Sequence, residues 1–516
     1  MIHKVLYLLI SPPAMKLKIL LILLCLSIAF SACVHKTDTL TNDGNFPPQI
    51  ATIMITKCAT AGCHNQASYG NADSLLLDSW EHLFNGSSSG AEAIAYSAQF
   101  SPLLYFVNTD PSLGTVAVPT MPYSTANRPM AALSKTEYMA LYNWIQSGAP
   151  DKYGNIPFAT NADTRQKTYV TQQGCDLLAV IDAEKNVVMR YIPIGVDPSN
   201  IESPHDVKVS PDGNFAYVCF YQGKYLQKIN TKTDQVVGSA YLGNLSTVKW
   251  SVVNISPDGS QILTTDCDGS GILAAIDANT MTMEPSKLWN ASSEGLIYPH
   301  GIATNATFDT FFVAAQYSNC VYKLIPNGFG FRSISLDGNK CSSYTDSLNN
   351  KPNPHQLLMV PDYSKYFATC QGNNTVVVMD AHTDSILATI PVGIKPQEMA
   401  LSRSKPYIFV TCTEDGSTNP HAHGSVYVIN YNTLQIVAKL YGDFYQPHGI
   451  SVDDRDGTVT IISENINPDG PAPHHVTSCG GRDGWYTVYN LNTLTPLNNR
   501  RYEVTRDPYT ADTRFK

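Results

Sequence analysis

From residue 165 to 516, apolar and polar positions alternate in short runs such as Phe215-Ala-Tyr-Val218 and Tyr407-Ile-Phe-Val410. Alternation of period two predicts half-buried β-strands. Turns such as Ser210-Pro-Asp-Gly213 and Ser256-Pro-Asp-Gly259 punctuate the runs. Downstream of them one pattern keeps returning: an apolar residue, Asp or Asn, two residues, then Thr or a near substitute. It stands at Ile181-Asp182, Ile229-Asn230, Ile276-Asp277, Met379-Asp380, Ile429-Asn430 and Tyr489-Asn490, with Leu324-Ile325-Pro326 filling the remaining place. The anchors lie about 50 residues apart, room for four strands each. A four-stranded sheet of this kind buries both faces only against neighbouring sheets, which predicts a seven-bladed β-propeller.

The anchors, together with strands of the Tyr169-Val170-Thr171 type, resemble the YVTN family of seven-bladed propellers. Each blade opens its innermost strand with a two-residue signature: Pro204-His205, Trp250-Ser251, Pro299-His300, Pro354-His355, Pro396-Gln397 and Pro447-His448. No such strand precedes Tyr169, but Pro508-Tyr509 begins one at the far end of the chain. The C-terminal strand is therefore expected to complete the first blade and remove a free sheet edge.

Strand parity puts the starts of the innermost strands and the loops after the second strands on one face. His205, His300, His355 and His448 then surround the axis. His421 and His423, and His474, His475 and Cys479, come from the two extended loops on the same side. Imidazole is a common ligand for copper, zinc and iron, so this face is a candidate metal or redox site. The candidate ligands are the axial four with His474 or His475, and affinity should fall as pH drops through about 6.5. The face resembles the propeller of the nitrous oxide reductase superfamily, where histidines at such positions hold copper; here only four of seven ring positions are His, and no cupredoxin-like domain follows. The competing reading is that Pro-His is a repeat feature whose imidazoles are hydrogen-bonded in the funnel without metal. Cys219, Cys267, Cys370 and Cys412 end second strands nearby and read as buried strand residues rather than ligands or disulfide partners.

Ahead of the propeller the period changes. Ser74 to Gly86 reads as a helix stopped by glycine, and Ser101-Pro-Leu-Leu-Tyr-Phe-Val107 follows. Ser134 with Glu137 forms a capping box, and Leu141, Trp144 and Ile145 share one face of the helix it starts. Before these lies Cys58-Ala-Thr-Ala-Gly-Cys63-His64, two thiols and an imidazole, the inventory for covalently attached haem c with His64 as proximal iron ligand. Four residues separate the cysteines where the usual motif has two, a wider form met in multihaem cytochromes. A disulfide or half a zinc site uses the same residues. The order of motif, Thr120-Met121-Pro122 and a final helix ending Trp144-Ile-Gln-Ser-Gly148-Ala resembles cytochrome c domains of large extracytoplasmic bacterial proteins. That resemblance implies Met121 as the distal iron ligand, with Met130 as the alternative.

The segment Met15 to Cys33 has a basic start, an apolar run and small residues before a cysteine, and resembles a bacterial lipoprotein signal with Cys33 as the lipidated residue. An uncleaved anchor is the alternative, although the apolar run is short for a spanning helix. The organisation expected is multidomain: a signal peptide over 1–33, starting at Met1 or Met15; a tether over 34–48; a small all-α cytochrome c-like haem domain over 49–150; and an all-β seven-bladed propeller over 165–516. A lipid-held protein of the cell envelope, periplasmic or facing the surface, follows from this. A net charge of −9 with 15% charged residues disfavours nucleic acid as a partner. No nucleophile triad, phosphate loop or paired-carboxylate motif stands out, so an enzymatic role would be that of an oxidoreductase. Two functions are carried forward: haem-based electron transfer to a redox partner or small-molecule substrate, with the histidine face as a metal or docking site, or a non-enzymatic scaffold whose propeller recognises a protein or glycan.

Overall fold

The computed structural model describes residues 42–159, 165–243, 249–267, 269–326, 330–342, 351–416, 423–464, 479, 482 and 484–514. Cys33 and the rest of the signal segment lie outside the described residues, as do His421, His474 and His475. No helix among the described residues is long and apolar enough to cross a membrane.

Seven four-stranded antiparallel sheets form the propeller. The recurring Asp or Asn marks the hairpin between third and fourth strands. Asn230 Oδ1 accepts the amides of Lys232 and Thr233, and Asp277, Asp380, Asn430 and Asn490 repeat the pattern. An Asx turn of this kind supplies locally the partners that the backbone lacks at a chain reversal. The Ser-Pro-Asp-Gly turns join first to second strands: the Phe215 amide donates to Ser210 Oγ at 3.0 Å, and Gly213 takes the left-handed φ of +70°.

The ring closes through the C-terminus, as the Pro508-Tyr509 signature implies. Strand Pro508–Thr513 pairs antiparallel with Lys167–Gln172 and becomes the innermost strand of blade 1. Thr510 Oγ1 donates to the His205 carbonyl at 2.9 Å, and the Val209 amide donates to Asp512 at 2.7 Å. Arg514 is fully buried and donates to the carbonyls of Gly213 and Arg165, each at 3.0 Å. A second staple was not legible in the cysteine spacing: Cys175 of blade 1 is disulfide-bonded to Cys479 of the long loop in blade 7. Cys320 pairs with Cys341 inside blade 4. Cys219, Cys267, Cys370 and Cys412 take part in neither disulfide, as their placement suggested.

Gly44–Lys516 is one compact unit, with the helical segment packed against the propeller. Four α-helices occur in that segment: α1 (Pro48–Ile53), α2 (Trp80–Leu83), α3 (Pro102–Val107) and α4 (Lys135–Gln146). The expected helix over 74–86 is reduced to α2. Asp73 and Ser74 adopt left-handed φ of 55° and 54°, which a helix cannot include. Ala91 and Ile94 share a core with Val187, Tyr191, Tyr486 and Tyr502, and the Glu503 amide donates to Ser89 O at 2.8 Å. Blade 1's outer strand, Val187–Pro193, is consequently mostly buried, whereas Gln235–Tyr241, Ile386–Pro391 and Gln435–Leu440 are largely exposed.

Candidate functional site

Two clusters of ligating side chains emerge, one in the helical segment and one on the propeller axis. In the first, α1 runs directly into a π-helical turn, Met54–Cys58. Such wide turns are rare and interrupt helices mostly where a side chain must be re-aimed. Cys58 is buried and Cys63 half-buried, and both are free thiols. Burial, with the neighbouring Cys63, pushes the Cys58 thiol up to about 12. His64 is held by its own backbone, whose amide donates to Cys58 O at 3.3 Å while its carbonyl accepts the Leu77 amide at 2.9 Å. The Nδ1 of His64 lies 3.1 Å from Leu75 O. With Nδ1 donating there, Nε2 keeps the lone pair, the state an iron-ligating imidazole requires. The non-helical Leu75–Leu77 stretch that replaces the expected helix therefore orients His64.

Around this loop the cage is tied shut. Lys57 Nζ reaches Glu137 at 2.7 Å, joining the thiol-bearing turn to the start of α4. The capping box is formed, with the Glu137 amide donating to Ser134 Oγ at 3.3 Å and the Ser134 amide to Glu137 at 2.8 Å. Leu141, Trp144 and Ile145 are buried, and Trp144 Nε1 donates to Pro150 O at 2.8 Å. Arg128 donates to Thr60 Oγ1 at 2.6 Å, which fastens the loop carrying Met121 and Met130 to the loop between the cysteines. Both methionines are partly buried. Neither a disulfide nor a closed metal cage forms from Cys58, Cys63 and His64: among the described residues, one set of three donors converges within 4.8 Å, and it lies elsewhere.

That set is on the axis. His205, His300, His355 and His448, with Tyr509 from the closing strand, form a continuous girdle. Ring centroids are 5.9 Å apart from His205 to His300, 4.1 Å to His355 and 5.7 Å onward to His448. Tyr509 stacks on His448 at 3.8 Å and meets His205 at 4.6 Å. Chambers of about 570 and 540 Å³ lie along the axis, and His205 and His300 line both.

A register shift at the start of each innermost strand sets this geometry, setting Gln397 and Glu398, for example, between the Pro396–Cys412 and Met399–Val410 pairs. Bulges of this type bend the strand and re-aim side chains. In blades 4 and 7 the residue after the histidine is glycine, which lets the next strand come close. A Cβ on Gly301 would stand 2.6 Å from His355 O, and one on Gly449 2.3 Å from Tyr509 O. Those two carbonyls are the ones that face histidine Nδ1 atoms, at 3.0 Å from His300 and 3.3 Å from His448.

His355 behaves differently. Its Nδ1 makes no hydrogen bond and lies 3.5 Å from Glu398 Oε1. The ligand atoms of His355, Glu398 and His448 all fall within 4.8 Å of one another. Glu398 escaped the sequence reading because blade 6 has Gln397 at the ring position, and only the bulge brings the following carboxylate to the channel. Burial, reinforced by Asp206 and opposed by Lys208, pushes Glu398 up to about 8. Burial holds His300 down at about 4 and His355 well below the usual range, so both imidazoles are neutral well below pH 6.5. The expected loss of metal affinity through pH 6.5 therefore does not follow from these two rings.

The other expected contributors have other roles. His423 Nε2 pairs with Glu414 at 2.8 Å. Cys479 is committed to its disulfide, and Cys267 lines the funnel.

No protein-family model matches the chain, and no curated protein matches it. Among solved structures it is similar to hydrazine synthase of Kuenenia stuttgartiensis, with 15% identity and a TM-score of 0.44 over 57% of this chain and 88% of that one. It is also similar to dihydro-heme d1 dehydrogenase NirN in complex with DHE, with 13% identity and a TM-score of 0.41 over 83% of this chain and 94% of that one.

Proposed function

We propose that the chain is a membrane-tethered, extracytoplasmic haem c protein that carries electrons, with the propeller as the body to which its haem segment is fastened. The observation that carries this reading is the state of the motif: two free thiols beside an imidazole whose Nδ1 faces the Leu75 carbonyl, leaving Nε2 as the ligating nitrogen. Cys58 and Cys63 would hold the porphyrin by thioether bonds, His64 would ligate the iron, and Met121 (with Met130 as alternative) would supply the distal sulfur. The haem would contribute one-electron redox chemistry. The protein's own part is to fix the His64 tautomer, to close α4 over the site through Lys57 and Glu137, and to exclude water with Trp144. Two disulfides support an oxidising compartment, the kind in which such haem is attached. Lipidation at Cys33 would supply the membrane tether.

The experiment is expression with a cytochrome c maturation system, followed by a visible spectrum and a haem stain of the denatured protein. Sharp reduced bands and covalent haem are expected, and Cys58→Ser with Cys63→Ser should remove both. A colourless wild-type protein overturns the reading. The scaffold alternative draws on the girdle itself, since His300 and His448 each place Nδ1 against the next blade's carbonyl and His423 pairs with Glu414. On that reading the tyrosine-rimmed funnel (Tyr221, Tyr298, Tyr317) recognises a protein or glycan. It predicts binding that survives loss of the two cysteines.

A further inference from the structure

We propose that His355, Glu398 and His448 bind one divalent first-row transition-metal ion at the histidine girdle. The site is independent of the haem reading and stands on a different part of the fold. Three consecutive blades, 5, 6 and 7, each contribute one donor, so the ligands form an unbroken arc of the ring. All three side chains are buried, and their ligand atoms already lie within 4.8 Å of one another. The 3.5 Å edge from His355 Nδ1 to Glu398 Oε1 is close to the separation of about 3.0–3.4 Å that two donors adopt around a metal with bonds near 2.1 Å. Small side-chain rotations suffice to close the triangle.

Two further observations point to a cation. Within the girdle, His300 places Nδ1 against a carbonyl, while the buried His355 Nδ1 makes no hydrogen bond and is aimed at the carboxylate. A buried polar nitrogen without a hydrogen bond carries a desolvation cost that a bound metal ion would relieve. Beneath the ring, Lys208 is surrounded by Asp206, Asp512 and Glu398. Asp206, Glu398 and Asp512 line one chamber with Lys208, so carboxyl groups outnumber the ammonium at the foot of the site. Two imidazoles and one carboxylate favour Fe²⁺, Mn²⁺, Co²⁺ or Zn²⁺ over the soft Cu⁺ that thiolates select. Three protein donors leave coordination positions for water or a small ligand entering from the funnel.

Equilibrium dialysis of the chelator-treated, haem-loaded full chain against Co²⁺, with cobalt counted separately from iron, tests this. One tightly held equivalent is expected in the wild type and in His423→Gln, whose histidine pairs with Glu414 instead. Glu398→Gln and His355→Gln should bind more than about tenfold more weakly, at least what losing an outer-sphere partner costs. Glu398→Asp keeps a carboxylate and should retain more affinity than Glu398→Gln; melting curves identify a variant that fails to fold. Absence of bound cobalt in the wild type overturns the proposal, as does equal affinity of the Asp and Gln variants. Loss confined to His205→Gln and His300→Gln would also overturn it, by assigning the metal to imidazoles alone. The same dialysis on the Cys58→Ser, Cys63→Ser chain should give the same cobalt count, so failure of the haem reading and failure of this one remain separate.

Discussion

The two candidate sites are built in opposite ways. The thiol-imidazole site is local: its first three groups fall within seven consecutive residues, Cys58 to His64, and one carbonyl at Leu75 orients the ring. The girdle is assembled from residues spread between His205 and Tyr509, drawn from five blades that the closed ring brings to one axis. A local site survives damage to distant structure. An assembled one inherits the stability of everything between its parts.

Deleting residues 508–516 is the strongest way to break this contrast. It removes the innermost strand of blade 1, Tyr509 and the buried Arg514 at once. Chemical denaturation should show a loss of about 4–5 kcal/mol or more, on the scale of the most severe single lesions. Metal uptake at the girdle should vanish with it, while covalent haem attachment in the soluble fraction persists. Unchanged melting would mean that the Cys175–Cys479 disulfide closes the ring without the strand.

The seam between the two regions offers the next largest effect. Glu92 is buried where the helical segment meets blades 1 and 7, and burial pushes its carboxyl up to about 7 although Ser87 donates to it at 2.8 Å. The folded protein then holds a proton that the unfolded chain releases above its ordinary value of 4.5. Stability from this group is full below that value and declines as pH rises through about 7, by about 3 kcal/mol in all. Melting temperature against pH should therefore slope downward across that window in the wild type, and Glu92→Gln should flatten the slope. A profile unaffected by the substitution would show that the seam does not feel this proton.

Gly449→Ala sharpens the contrast inside the girdle. The added Cβ would collide with Tyr509 O and push away the carbonyl that faces His448. A cost of about 1–3 kcal/mol is expected, measurable by denaturant unfolding, with weaker cobalt binding and no change in the haem spectrum. The smallest effect is on the local side. Lys57→Ala removes a half-exposed ion pair and should cost about 0.5 kcal/mol, read by the melting of the helical segment while cobalt affinity stays constant.

Much of this architecture was legible in the chain. The Asp and Asn anchors announce hairpins because an Asx turn is completed within four residues, and the capping box of α4 is likewise a local exchange between Ser134 and Glu137. Repetition of those local signals gave the blade count, and the unmatched Pro508-Tyr509 gave the closure. The four axial histidines followed from strand parity, which is a period of two counted from a known turn. Helix α2 was overestimated because Ser74 to Gly86 has helical composition, yet the left-handed residues Asp73 and Ser74 hold Leu75 where its carbonyl meets His64.

What the sequence by itself determined is everything written in short range: strands, turns, caps, the thiol-imidazole motif and the order of blades. Tertiary structure alone decided which distant groups meet. A bulge, invisible to simple alternation, moved Glu398 beside His355 and His448, and blade packing brought Cys175 to Cys479 across the seam of the ring. The helical layer buried an outer strand that in other blades faces water. The physical reason is common to all three. Periodicity fixes the direction of a side chain relative to its own backbone, whereas its neighbours and its dielectric surroundings are set by which sheets close against which.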